Sequence, residues 1–313
     1  MELMIIKTGW QFVKTKLTIK NHINMKISEI ISLILKNCCG KDKYGNKLDR
    51  ISTSDKILYG NDDIECTGII VTCFANIKVI EEAHRKGCNF IITHESIFWN
   101  HGDRTDWLQQ NSVFLQKKAL LDQYTITIWR FHDFMHAGLL IDNHFSDGIY
   151  YGLMKSLGWE QYLIDSLDKP LLYKLPKTPL TNITAHLMKV LNLNGLKIIG
   201  NNKSEVETVL FAEHCQSKKD IDCQKITKIE NENIDLIIPL EIVDYSIAAY
   251  VRDACLLQQS KTILIAGHFN IEEAGMKYLP NWLKKLFPLI YIDYVQSGDM
   301  YNYIINQSNT IPI

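Results

Sequence analysis

Glycine and proline are scarce in this chain, 16 and 7 of 313 residues, which excludes collagen-like and low-complexity disordered sequences. A surplus of either charge sign is also missing. Lys plus Arg total 34 against 35 Asp plus Glu, a formal charge of −1. Without a clustered basic excess, a nucleic-acid partner is disfavoured. No apolar run approaches the ~18–20 residues that cross a bilayer: Ile91–Trp99 is broken by His94 and Glu95, and Leu286–Val295 by Asp293. No membrane partner is expected. The eight cysteines form no Cys-x-x-Cys pair, so reduced thiols and a cytoplasmic location are the simplest reading. A P-loop, a dinucleotide-binding glycine fingerprint, a zincin helix motif and a nucleophile elbow are all absent from the sequence.

What is present is α/β alternation. Ile27, Ile30, Ile31, Ile34 and Leu35 form a helical stripe. Thr67–Phe74 reads as a strand, Ile77–Lys86 as a helix and Asn89–Thr93 as a second buried strand. That order makes a βαβ unit and a sheet that is at least partly parallel. A helix near Ser112–Leu121 leads into a strand at Thr125–Phe131, and a loosely similar series runs from Pro179 to Ile265. Length predicts two domains, placed at 25–150 and 151–313. Residues 1–24 read as an extension or misassigned start before Met25, and the polar segment Cys215–Asn233 reads as a loop.

Three clusters carry chemistry, each just past a strand, where open α/β sheets place their sites. His94-Glu95 follows an apolar strand; alone, it also fits a capping His beside a helix-start Glu. In the segment 130–136, His132 and His136 stand at i, i+4, a spacing that puts two ligands on one helical face. Asp133 is a further ligand candidate or a carboxylate that holds an imidazole; the same segment also reads as a polar loop rich in His. Gly267-His268 with Glu272 begins a helix after the strand TILIA, again at i, i+4. Mixed imidazole and carboxylate donors in this number suit two divalent ions better than one.

At these clusters the chain resembles the Nif-three-like (NGG-interacting-factor) family of dinuclear-metal proteins, some labelled GTP cyclohydrolase I type 2. The likeness runs from Met25 to the C-terminus and is most specific in VIEEAHRKGCNFIITHESIFW, IDLIIPLEIVDYS and ILIAGHFNIEEAGM. The family's usual His-His-Pro is His94-Glu95-Ser96 here, which resembles a branch with a His-Glu pair. The resemblance implies metal ligation by His94, Glu95, His136, His268 and Glu272, with His132 lining the site and Asp133 an extra carboxylate. Glu241 stands where the family has Thr-Gly-Glu, and Glu213-His214-Cys215 replaces a glycine-rich turn. It further implies two similar α/β domains with mixed, largely parallel sheets, a metal site in the cleft between them, and a homohexamer.

The expected function is therefore a hydrolase using two divalent ions (Zn, Fe or Mn), cyclohydrolase- or phosphoesterase-like, with His132 or Asp133 handling the proton. The alternative is a hexameric metal chaperone or regulatory scaffold without turnover. The substrate is a small molecule that the sequence does not specify.

Overall fold

The computed structural model describes residues 25–304 except 43, 50, 202 and 203; the expected extension at 1–24 lies outside them. The chain forms two compact units. One runs to Gly152 and takes back Gly275–Ser297, and the other comprises Leu153–Ala274 with the segment from Gly298.

In the first unit, Ile69–Thr72 and Phe90–Thr93 are buried at every position, as strands covered on both faces must be. They lie in a five-stranded sheet ordered Ile57–Tyr59, Thr127–Arg130, Phe90–Thr93, Ile69–Thr72, Ile292–Tyr294. Ile57–Tyr59 is antiparallel to its neighbour; the other pairings are parallel. Thr72 pairs with Thr93 and Thr93 with Arg130. The carboxyl ends of the three central strands are thereby level, and the residues that follow them emerge side by side. Helices Ile77–Arg85 and Ser112–Tyr124 are capped by Asn76 and Asn111, whose side chains accept from the Val79 and Phe114 N–H groups. Val79, Ile80, Ala83, Phe114 and Leu121 turn into the core beneath the sheet. The strand Ile292–Tyr294 joins this sheet, although it lies within the 151–313 stretch of the sequence. A three-residue strand carries no periodicity that tells which sheet will accept its edge.

The second unit has its own five-stranded sheet, ordered Leu172–Pro179, Glu205–Phe211, Leu236–Ile238, Thr262–Ile265, Lys197–Gly200. Its three inner strands are parallel and its two outer strands antiparallel. A short parallel ribbon pairs His214–Cys215 with Glu241–Ile242 and sets His214 opposite Glu241. The expected loop at 215–233 is instead largely the helix Lys219–Asn231. Its apolar stripe is thin, with Ile229 fully buried, and its start is fastened by Asp222, which accepts from the Ser217 N–H and the Ser246 hydroxyl. A helix with a single fully buried apolar residue, fastened by side-chain hydrogen bonds, leaves little trace in hydropathy.

All eight cysteines are free thiols. Cys73 is buried in the first unit, and burial pushes Cys215 up to about 11, so neither is set up as a nucleophile. No helix of the described residues is long and apolar enough to cross a membrane.

Candidate metal centre

The level strand ends of the first unit deliver His94 directly after Phe90–Thr93 and His132 two residues after Thr127–Arg130. His94 N–H reaches the Thr72 and Cys73 carbonyls at 3.2 and 3.1 Å, and Glu95 N–H the Cys73 carbonyl at 2.9 Å. The next turn, 132–136, is held by a residue that hydropathy gave no reason to select, Asp55. Its Oδ1 accepts from the His132 N–H at 2.7 Å and its Oδ2 from the Asp133 and Phe134 N–H groups at 2.8 and 3.2 Å. The short helix Asp133–Ala137 starts there, and His136 N–H closes back on the His132 carbonyl at 3.0 Å.

Three imidazoles meet as a result. The ring centroids of His94 and His132 lie 4.5 Å apart, those of His132 and His136 4.9 Å, and those of His94 and His136 5.0 Å. One donor atom from each lies within 4.8 Å of the others, close enough to share a metal ion. An oxygen engages every Nδ1: the Phe131 carbonyl for His94 at 3.0 Å, Asp133 Oδ1 for His132 at 2.8 Å, and Asp147 Oδ2 for His136 at 2.9 Å. Carbonyl and carboxylate oxygens accept, so in the neutral rings Nδ1 carries the proton and Nε2 the lone pair. This is how imidazole ligands are oriented in metal sites.

Two charged groups flank this set. Burial pushes the Asp133 carboxyl up, but hydrogen bonds from His132, the Ser54 N–H and the Thr53 hydroxyl outweigh it, leaving Asp133 well below the usual carboxylate range. Arg130, fully buried, brings its guanidinium to the His94 carbonyl at 3.2 Å, Glu95 Oε2 at 3.4 Å and Asp103 Oδ2 at 3.4 Å. Glu95 is thereby matched by a positive charge.

In the second unit Glu241 is central. Its Oε1 lies 2.8 Å from His268 Nδ1 and its Oε2 2.8 Å from His214 Nδ1, with Gln216 Nε2 also donating to Oε2. Burial raises the Glu241 carboxyl, and the hydrogen bonds from both imidazoles more than reverse that, so it stays ionised at neutral pH. Gly267, at φ +97°, turns the chain from strand into helix, and one helical turn later Glu272 Oε1 lies 3.0 Å from His268 Nε2. A neutral imidazole has one N–H to offer two carboxylates. Two donors at ~2.1 Å from one cation, at right angles, would stand about 3 Å apart. The 3.0 Å spacing of His268 Nε2 and Glu272 Oε1 therefore suits a cation held by both.

His94, His132, Asp133 and His136, expected from their spacing, all gather in the first unit with Glu95 beside Arg130. His268 and Glu272, also expected, meet in the second. Glu241, to which spacing assigns no role, joins them. No spacing assigns a role to His214, Asp55, Asp147 or Arg130. His214 was visible only as part of a substituted turn, and its partner Glu241 is 27 residues away.

Residues 25–297 match the Duf34/NIF3 (NGG1p interacting factor 3) family. The chain belongs to that family. Among family relatives, a Staphylococcus aureus (strain MRSA252) protein described as a GTP cyclohydrolase 1 type 2 homolog is 27% identical over 68% of this chain. The match spans 52% of that relative, about half its length. The fold is shared with Staphylococcus aureus protein SA1388 (TM-score 0.62, 16% identity, 90% of this chain and 99% of that one). It is shared too with a Bacillus cereus protein related to NIF3 (TM-score 0.63, 12% identity, the same coverage). The mixed, largely parallel α/β architecture and the grouped His and Glu donors thus sit in a known family framework.

Proposed function

We propose that this protein is a hydrolase that uses two divalent ions, of Zn, Fe or Mn, as a dinuclear centre. The observation that carries the reading is the set of His94, His132 and His136, each with Nδ1 held by an oxygen. His94, Glu95 and His136 from one donor set, and His268 and Glu272 from the other, are the proposed ligands. Bound there, the ions supply Lewis acidity and make water nucleophilic near neutral pH.

The chain's own residues divide the remaining work. His132 is the proposed proton acceptor, through Nε2. Asp133 holds its Nδ1–H, fixing tautomer and ring orientation much as the carboxylate of a catalytic triad does. Asp133 is a poor base itself, because its carboxylate is committed to His132, Ser54 and Thr53. Arg130 Nη2, 3.4 Å from Glu95 Oε2, holds that carboxylate in place. The description of the Staphylococcus aureus relative makes opening of a purine ring the first reaction to try, with phosphoesters and amides next.

The deciding experiment measures metal content and turnover on the same reconstituted protein. About two equivalents of metal with turnover of one panel member supports the proposal. Less than half an equivalent removes it, and full loading with no turnover favours the chaperone or scaffold reading. A cytoplasmic homohexamer is the proposed assembly, and light scattering at micromolar concentration tests it against a 36.2 kDa monomer.

A further inference from the structure

A pocket of about 230 Å³ opens beside His268 within the second unit. Glu241, His268, Phe269 and Asn270 form one wall, and Met300 and Tyr301 form the other. The second wall lies beyond the residues matched by the family, 25–297, yet it is tightly fastened. Asp299 accepts from the Asn194 N–H at 2.8 Å and from the Asn270 amide and the Tyr301 N–H at 3.0 Å. Asn194 Nδ2 donates to the Tyr301 carbonyl at 3.1 Å, and the Tyr303 hydroxyl to the Gly195 carbonyl at 2.8 Å. The Tyr301 ring lies so close to Gly267 that a Cβ there would meet Cε2 at 2.7 Å. Lys197 Nζ stands 5.8 Å from the centre of the same ring.

The hydrogen-bonding character of the pocket is one-sided. Asn270 is 2% exposed, and its Nδ2 donates to the Ala266 carbonyl at 2.7 Å and to Asp299 at 3.0 Å. Both partners are acceptors, which fixes the amide orientation and leaves Oδ1 as an acceptor. That oxygen has no hydrogen bond among the described residues. Glu241 adds a carboxylate, and among the described residues no Lys or Arg lines the pocket. An anion is therefore unwelcome, and a donor is called for. Phe269, Met300 and Tyr301 supply apolar and aromatic surface suited to a flat ring. The volume falls below the ~300–1,000 Å³ of sites for drug-sized ligands, so a ring fits where a whole nucleotide does not.

We propose that this pocket binds the organic part of the substrate, and that this part is a small planar heterocycle presenting N–H donors along one edge. The inference rests on the proposed function in one respect, that His268 belongs to the reacting centre. The strap 298–303 then serves as a selectivity wall.

The test titrates 2-aminobenzimidazole, a flat ring with an N–H donor edge, into the full-length chain, metal-free and zinc-loaded, by calorimetry or protein NMR. Its 1,2-dimethyl relative, lacking the ring N–H, and benzoate are the comparison probes. Saturable one-to-one binding of the donor probe is expected, weaker by roughly tenfold in Tyr301→Ala and retained in Tyr301→Phe. Met300→Ala, which removes apolar wall without adding an acceptor, repeats the loss with Tyr301 in place. Absence of saturable binding, binding unchanged in both wall variants, or equal binding of benzoate overturns the proposal. Zinc content of the same samples separates the two readings. Probe binding without zinc uptake topples the metal-dependent function and leaves the pocket standing; zinc uptake without probe binding does the reverse.

Discussion

His136 Nδ1 lies 2.9 Å from Asp147 Oδ2, and the carboxylate is buried while the imidazole is a quarter exposed. The other oxygen of Asp147 accepts from the Ile149 and Tyr150 N–H groups at 3.0 and 3.2 Å, so the helix beginning at Gly148 aims the carboxylate at His136. Such a partner fixes the ligating tautomer and raises the basicity of the other nitrogen. Asp147→Ala is expected to weaken binding of the proposed cation by roughly 10–100-fold, measured by competition with a chromophoric chelator. Unchanged affinity in a folded variant would show that His136 needs no such support.

Asp55 holds the turn that carries His132 and His136. Replacing it with Ala strands the three N–H groups it accepts from, and a destabilisation of roughly 2–3 kcal/mol is expected. Asp55→Asn keeps one acceptor oxygen and should lose less. Urea midpoints rank the two variants, and metal content measured below their transitions should fall in the same order. A Asp55→Ala protein with unchanged midpoint would refute the turn-holding role.

The three central strands of the first unit were legible because Ile69–Thr72 and Phe90–Thr93 are apolar up to their last residue, and Thr125–Trp129 alternates Thr with Ile and Trp. His94, His132 and His268 were legible because they come within three residues of a strand's end. The helix Lys219–Asn231 was not, since Ile229 alone cannot write a stripe. Nor were Asp55 and Asp147, because a hydrogen bond across 77 residues, as from His132 N–H to Asp55, has no local signature. The ribbon that sets His214 against Glu241 is two residues per strand, too short for any periodicity. Spacing revealed residues that could bind a metal and, in Asp133, one carboxylate that orients an imidazole; it did not reveal Asp55 or Asp147.

Lys117 provides a pH-dependent prediction away from these clusters. It is 2% exposed, its Nζ donates to the Ile97 carbonyl at 2.8 Å, and the Phe74 and Phe98 ring centres lie 4.8 and 5.7 Å away. Burial pushes its ammonium group down to about 7 from 10.5. Below pH 7 both folded and unfolded chains carry the proton, and the cost of the buried charge is fully present. Between about 7 and 10.5 the unfolded chain binds more protons, so stability rises with pH, by an amount on the order of a few kcal/mol. Lys117→Met should lose this rise, so that its urea midpoint gains on the wild type at pH 6 relative to pH 9. Parallel pH profiles for the two proteins would show that Lys117 stays charged when buried.

His132 separates proton handling from metal retention. Its Nδ1 is held by Asp133 at 2.8 Å, and Asp133 is in turn fixed by Ser54 and Thr53, the arrangement of a base with an orienting carboxylate. Once an assay exists, His132→Ala should retain both ions and lose roughly 100-fold or more in turnover, the scale of a positioned acid or base. Asp133→Asn should also retain metal and lose turnover, because the amide no longer favours the Nδ1–H tautomer. Removing His268 or Glu272 should instead lower metal content and activity in parallel, since both atoms of the 3.0 Å pair face the same proposed cation. If His132→Ala sheds an ion, the third imidazole is a ligand and the proton passes elsewhere. Full turnover in a fully metallated His132→Ala protein would end the assignment, and the intact tautomer lock of Asp133 would then serve orientation alone.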